Sequence, residues 1–244
     1  MNGTIRPAQR TNAKPLIGIY AESGKGKTYS SLLMARGFVG PKGSILMIET
    51  ESGRGEAFSD KDEYPEIGGY DVLPLRDDFS PQAYGAALTD AEKHAPGALI
   101  IDSASHEWEG AGGVLAMAAD AQAGGKKGPI VWQKPKMDHQ RHFMLRPKQS
   151  EDILYEMLAH GWLDDDHRFR STKMTTRALE SVLVDNERIT VDTGKRLAVM
   201  AAGTKPPAAK KKAPPKEEPG PELEDTDVPT EFLWTSGSGQ VSRF

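Results

Sequence analysis

Lys27 and Thr28, placed directly after Gly24-Lys25-Gly26, are the residues of this chain best suited to chemistry on a phosphate. Triphosphate oxygens need several donors converging on a small volume. Backbone N–H groups supply them where no side chain blocks the approach, which favours Gly24 and Gly26, and a helix beginning near Lys27 adds its positive N-terminal end. The Lys27 ammonium would reach the β- and γ-phosphates as a point charge. The Thr28 hydroxyl would take one position on Mg²⁺. Glu22, Ser23, Gly24, Lys25, Gly26, Lys27, Thr28 and Tyr29 are therefore the expected nucleotide-binding residues, with ATP and Mg²⁺ as the expected ligands.

Two further stretches could complete such a site. Ala98-Leu99-Ile100-Ile101-Asp102-Ser103 is an apolar run ending in an acid. Asp102 beside the glycine loop would hold Mg²⁺, usually through water. Ser44 to Thr50 is a second apolar run, and it continues as Glu49-Thr50-Glu51. A carboxylate there could orient the water that attacks ATP, with Glu51 ahead of Glu49. Lys27, Glu51 and Asp102 are thus the expected catalytic residues, and Thr28 and Asp102 the metal ligands. An acidic strand-to-loop junction on the surface is the plainer account of Glu49 and Glu51. Ser103 and His106 could sense the γ-phosphate, and a partly buried loop histidine accounts for His106 equally well.

The elements that must position these residues alternate. Leu16 to Tyr20 reads as a buried strand, and Ser31 to Arg36 opens a helix running to about Phe38. Strand, glycine loop, Gly-Lys-Thr and helix is the order of a phosphate-binding P-loop, with Ala21 where the motif's first glycine usually stands. Ser44–Thr50 is a second strand and Tyr70–Leu75 a third, limited by Pro74. Ser80-Pro81 caps and starts a helix to about His94. Ala98–Ser103 follows as a strand, and Val114–Ala123 as an alanine-rich helix. Ser150–Trp162 reads as an amphipathic helix with Ile153, Leu154, Met157 and Leu158 on one face. Leu163–His167 is an acidic turn, Ser181–Val184 and Ile189–Val191 are short strand-like elements, and a last helix runs from Asp192 to about Ala202. In a parallel α/β sheet the ends of these strands open onto one crevice.

Basic residues with an interleaved aromatic lie between the alanine-rich helix and Arg146. Lys126, Lys127, Trp132, Lys134 and Lys136 suit single-stranded DNA, through phosphate contact and base stacking. A solvated face with Trp132 in the core is the alternative. His139 and His142 have no acidic or cysteine partner at metal-ligand spacing, so no metal role is expected of them.

Composition sets outer limits. The 244 residues suffice for one full α/β domain with extensions. Hydrophobic residues make up 37% and charged residues 27%, and the mean hydropathy of −0.54 points to a disordered portion. With a net charge of −4, nucleic-acid contact must come from a local patch. The chain has no cysteine, which excludes disulfides and Cys-based zinc sites. The first residues lack the apolar core of a signal peptide, and no apolar run approaches the roughly 20 residues that span a bilayer. A cytoplasmic location without a membrane partner is expected. Residues 1–14 are expected to form a flexible arm, 15–202 the nucleotide-binding domain, and 203–244 a disordered tail. In that tail, basic proline-rich and acidic blocks adjoin Phe232-Leu233-Trp234 and Phe244, a possible motif for a DNA-processing partner.

Ala21–Thr28, the strand ending Glu49-Thr50-Glu51, and Ile101-Asp102-Ser103 with His106–Gly110 together resemble phage-encoded RecA-like P-loop ATPases of the AAA type, often called phage nucleotide-binding proteins. Some of these are related to single-strand-annealing recombination proteins. Lys136–Gln140 and Ile189–Leu197 carry the same resemblance, which covers about Pro15 to Ala201. It implies a RecA-like fold with a mostly parallel sheet flanked by helices, ATP hydrolysis, action on single-stranded DNA in phage recombination or replication, homo-oligomers, and residence in the host cytoplasm. One departure stands out. Such proteins carry another apolar core strand after the helix ending near Arg146, and no strand is evident here between Phe143 and the helix expected from Ser150. A shortened core is therefore expected, or a sheet closed by later short strands. Arg146 and Arg170 are the candidates for an arginine finger. A nucleotide-binding scaffold with little hydrolysis, and a small-molecule or nucleotide kinase, are the alternatives.

Overall fold

The computed structural model describes residues 14–143 and 157–203. Strands β1 (Ile17–Tyr20), β2 (Ile45–Glu49), β3 (Asp71–Pro74) and β4 (Ala98–Asp102) alternate with helices α1 (Lys27–Val39) and α2 (Pro81–His94). Shorter helices α3 (Ser105–Glu109), α4 (Val114–Ala123) and α5 (Gln133–Asp138) follow, and a π-turn at His139–Phe143. Then come β5 (Ala159–Leu163), β6 (Arg168–Met174), α6 (Arg177–Glu180), β7 (Glu187–Arg188) and α7 (Val191–Ala201).

β2 lies between β3 and β4 and is parallel to both. β1 pairs in parallel with β5, which turns back through β6 and β7 as antiparallel neighbours. The architecture is α/β, with one parallel and one mixed sheet flanked by helices.

All five residues of β2 are buried. Its alternation explains the layering. Ile45 and Met47 pack with Leu32, Leu33 and Ala35 of α1. Leu46 and Ile48 pack with Tyr84, Ala87 and Leu88 of α2 on the other face. Met34 of α1 reaches a third cluster with Ala159, Leu163, Phe169 and Leu197. Because α1 is covered on several sides, its sequence shows little amphipathic periodicity.

α7 holds α1 from behind. A Cβ on Gly194 would stand 2.0 Å from the Met34 carbonyl oxygen and 2.8 Å from Cα of Gly37. Only two glycines allow the helix backbones to approach this closely. Thr190 and Thr193 form a reciprocal capping box that fixes where α7 starts.

The expected helix at Ser150–Trp162 is corrected. Its first residues lie outside the described ones, and Ala159–Leu163 is a strand aligned residue for residue with β1, Tyr20 opposite Trp162. A strand is thus present where a helix was expected, and it pairs in parallel with β1. Ala159-His160-Gly161-Trp162-Leu163 is too short for its periodicity to separate strand from helix, and pairing with β1 decides between them. Ser181–Val184 is likewise not a strand: Val182 and Leu183 are buried in a turn after α6. The expected tail, Arg146 and nearly all of the expected arm lie outside the described residues. Among the described residues no helix is long and apolar enough to cross a membrane.

Candidate functional site

The carboxyl ends of β1, β2 and β4 carry the residues singled out from sequence. The loop after β1 turns through Gly24 and Gly26 at φ of 83° and 82°, a region that side-chain-bearing residues enter at a cost. Gly26 caps α1, and among the described residues no side chain caps that end. The first-turn N–H groups of α1 are therefore left to whatever the loop binds. Lys27 Nζ donates to the carbonyls of Ala21 (2.7 Å) and Glu22 (3.1 Å), so the lysine closes its own loop.

Thr28 Oγ1 donates to Asp102 Oδ2 at 2.5 Å, which joins the first turn of α1 to the end of β4. Asp102 is buried. Burial raises its pKa, the nearby Glu51 and Glu49 charges act in the same direction, and Thr28 and Lys27 oppose them. Tyr29 turns away: its ring packs on Phe58 and Tyr64 and its hydroxyl donates to Glu66. That hydrogen bond, with burial, pushes the phenol up to about 12. Only the backbone of Tyr29 remains a candidate for phosphate.

The two glutamates after β2 differ sharply. Glu49 is fully buried and accepts from the N–H groups of Glu51 (2.7 Å) and Gly53 (3.1 Å) and from Arg76 (2.5 Å). Burial pushes its pKa up, but these donors outweigh it and hold the carboxyl below its usual range. Glu49 organises the turn. Glu51 is partly exposed, its carboxylate lies 3.6 Å from the Arg54 guanidinium, and it is close enough to perturb Asp102.

A second layer supports β4. The Ser103 N–H donates to Thr50 Oγ1 at 2.8 Å, and Thr50 Oγ1 lies 2.7 Å from His106 Nδ1. The hydroxyl of buried Tyr84 donates to the Ser103 carbonyl at 2.7 Å. His106 thus links α3 to the end of β2. The next residue, Glu107, is buried and lies 2.9 Å from His139 Nδ1. The fold supplies the acidic partner for His139 that sequence spacing did not reveal. The two form a pair: among the described residues no group of three or more His, Cys, Asp or Glu gathers to hold a metal.

Of the residues expected to meet DNA, Trp132 contacts α3 through Trp108. Lys126 and Lys127 are exposed in the loop after α4, Lys136 is exposed on α5, and Lys134 bridges to Asp138 at 2.6 Å. Trp132 faces Trp108, the rings 6.4 Å apart and within 14° of parallel. Trp108, which lies within the His106–Gly110 stretch, was not among the residues expected to meet DNA; it is 41% exposed.

The hairpin between β5 and β6 was also missed as part of the site. Asp165 is ion-paired to Lys25, and His167 Nδ1 lies 3.0 Å from the Lys25 carbonyl oxygen. Arg170, an arginine-finger candidate, donates from Nε to Asp164 at 2.8 Å within this hairpin. The signal was faint: β6 reads R-F-R-S-T-K-M, with only Phe169 fully in the core. No family model matches the chain, and neither does any curated protein or solved structure.

Proposed function

We propose that the chain is a Mg²⁺-dependent ATP-binding protein and ATP hydrolase of the RecA-like P-loop type, acting on single-stranded DNA in phage recombination or replication. The Thr28–Asp102 hydrogen bond, set at the uncapped N-terminus of α1, carries this reading. One hydroxyl and one carboxylate suit Mg²⁺, which keeps several waters and takes its remaining oxygens from phosphates. Thr28 and Asp102 would hold the ion, which when bound neutralises charge on the phosphoryl oxygens.

The chain's own groups divide the remaining work. The N–H groups from Gly24 to Tyr29 receive phosphate oxygens. Lys27 leaves the carbonyls of Ala21 and Glu22 to meet the β- and γ-phosphates. Glu51, whose carboxylate is not consumed by the fold as that of Glu49 is, orients the attacking water. The parallel pairing of β1 with β5 and of β2 with β3 and β4 suits the fold reading.

Trp108 and Trp132, with Lys126, Lys127, Lys134 and Lys136, form the proposed DNA surface. α3 joins that surface to the nucleotide site through His106 and Thr50. We further propose a homo-oligomer working in the host cytoplasm, with the C-terminal segment available to a DNA-processing partner. The scaffold reading has one observation in its favour, the engagement of Lys27 with its own loop.

The test is ATP hydrolysis with and without single-stranded DNA, alongside gel filtration. Turnover is expected to rise with DNA and to vanish in Lys27→Ala. ATP binding without turnover under any DNA condition would establish the scaffold instead. Phosphate transfer onto a nucleoside monophosphate would establish a kinase.

A further inference from the structure

The face of the β1–β5 sheet beside the phosphate loop carries a cavity of about 510 Å³ lined by Tyr20, Ala21, Glu22, Lys25, Trp162, Leu163 and Asp165. An adjoining cavity of about 280 Å³ shares Trp162 and Asp165 and adds Asp164 and Asp166. Tyr20 and Trp162 are paired across the two strands. Both face away from the core cluster formed by their neighbours Ile19 and Leu163. They are 45% and 43% exposed, unusual for large aromatics at the end of two adjacent parallel strands.

Three features identify the occupant. Ala21, Glu22 and Lys25 belong to the glycine loop, so a ligand whose phosphates lie on Gly24–Thr28 borders this cavity directly. Trp162 and Tyr20 offer flat apolar surface of the kind on which a nucleobase stacks. Lys25 pairs with Asp165 and Arg170 with Asp164, and Glu22 and Asp166 add the acidic character of the rim, which disfavours a phosphate backbone and accepts hydrogen bonds from N–H groups. That combination disfavours a polynucleotide and favours one neutral base with amino hydrogens.

We propose that this cavity is the base pocket of the bound nucleotide, with Trp162 as its stacking platform and the Asp164–Asp166 turn selecting an amino-bearing purine. The proposal rests on the phosphate-loop reading above and extends it from the phosphates to the base. The Lys25–Asp165 pair and the His167 contact to the Lys25 carbonyl tie the turn to the loop. The pocket's wall and the phosphate cradle are therefore one connected unit.

The experiment compares ATP, UTP and inorganic tripolyphosphate as ligands of the full chain, by calorimetry and tryptophan fluorescence. ATP is expected to bind more tightly than UTP and to quench fluorescence, whereas tripolyphosphate binds without quenching. Trp162→Ala should weaken ATP by about tenfold or more, the scale of one lost base stack, and leave tripolyphosphate unchanged. Trp162→Phe should keep most of the ATP affinity and lose most of the quenching. If Trp162→Ala binds ATP as the wild type does while Lys27→Ala weakens both ligands, the base pocket is overturned and the phosphate loop stands. Equal weakening of ATP and tripolyphosphate in Trp162→Ala assigns Trp162 a structural role and also overturns the pocket. If the wild type binds neither ligand, the phosphate-loop reading and this proposal fall together.

Discussion

Thr28 and Asp102, 74 residues apart in sequence, meet in a 2.5 Å hydrogen bond that closes the junction of α1 and β4. The bond holds a carboxylate in a place that does not favour its charge. Burial is the largest cause of the raised pKa, and Glu51 and Glu49 reinforce it. An acid whose pKa is raised on folding binds its proton more tightly in the native state. Its favourable contribution is complete below the unfolded pKa and is lost as pH rises through the folded one. At neutral pH the charged Asp102 therefore costs stability.

The first prediction follows from that sign. Asp102→Asn keeps an acceptor for Thr28 and removes the charge. It should melt a few degrees above the wild type at pH 8, and the difference should shrink as pH falls toward 4. Mg²⁺-dependent nucleotide binding should be lost in the same variant. Calorimetric melting across that range checks the first part. A variant less stable than the wild type at pH 8 would show that the ionised carboxylate stabilises the fold.

Glu49 and Glu51 should separate stability from activity. Glu49→Ala strands Arg76 and the N–H groups of Glu51 and Gly53 without their acceptor, a loss of about 3 kcal/mol. The wild-type contribution of Glu49 has the opposite pH sign to that of Asp102. Its carboxyl is held below the usual range, so the stabilisation is present above the unfolded pKa and fades as pH falls through the folded one. Glu51→Gln should change stability by less than about 0.5 kcal/mol and abolish turnover. Urea unfolding and an ATPase assay on both variants decide it; reversed roles would transfer the catalytic assignment to Glu49.

The contact between Gly37 and Gly194 should tolerate no side chain. The obstructing atoms are backbone, the Met34 carbonyl oxygen and Cα of Gly37, so a flexible neighbour cannot yield. Gly194→Ala should cost about 3 kcal/mol by forcing α7 away from α1, and nucleotide affinity should drop because α1 carries Lys27 and Thr28. Wild-type unfolding midpoints in Gly194→Ala would refute the close crossing.

Much of this was legible in the sequence where local chemistry dictates structure. Ser80 caps α2 through the Ala83 N–H and Pro81 occupies its first turn, and the helix ends at His94 as its pattern implies. The glycine loop and the apolar run into Asp102 signal themselves through residue type. What was hidden depends on pairing. Ala159–Trp162 reads as the end of a helix until β1 lies beside it. β6 shows one fully buried core residue, Phe169, with Met174 packed at the edge of the same cluster. The Trp108–Trp132 contact joins two helices through the fold, so no spacing in the sequence announces it.

That contact gives the last prediction. Exposed aromatics bind bases by stacking, which is indifferent to salt, whereas lysines bind phosphates by releasing counterions, which is not. The two contributions can therefore be separated within one surface. Trp108→Ala should weaken single-stranded DNA binding by about tenfold and leave the salt dependence of binding as it is. Lys136→Ala should weaken binding less and reduce the slope of log K against log salt by about 0.7, the value for one lost contact to a single strand. Fluorescence anisotropy over a salt series reads both quantities. Unchanged DNA affinity in Trp108→Ala would leave the exposed Trp108 without a role in DNA binding, and an unchanged slope in Lys136→Ala would remove α5 from the DNA path.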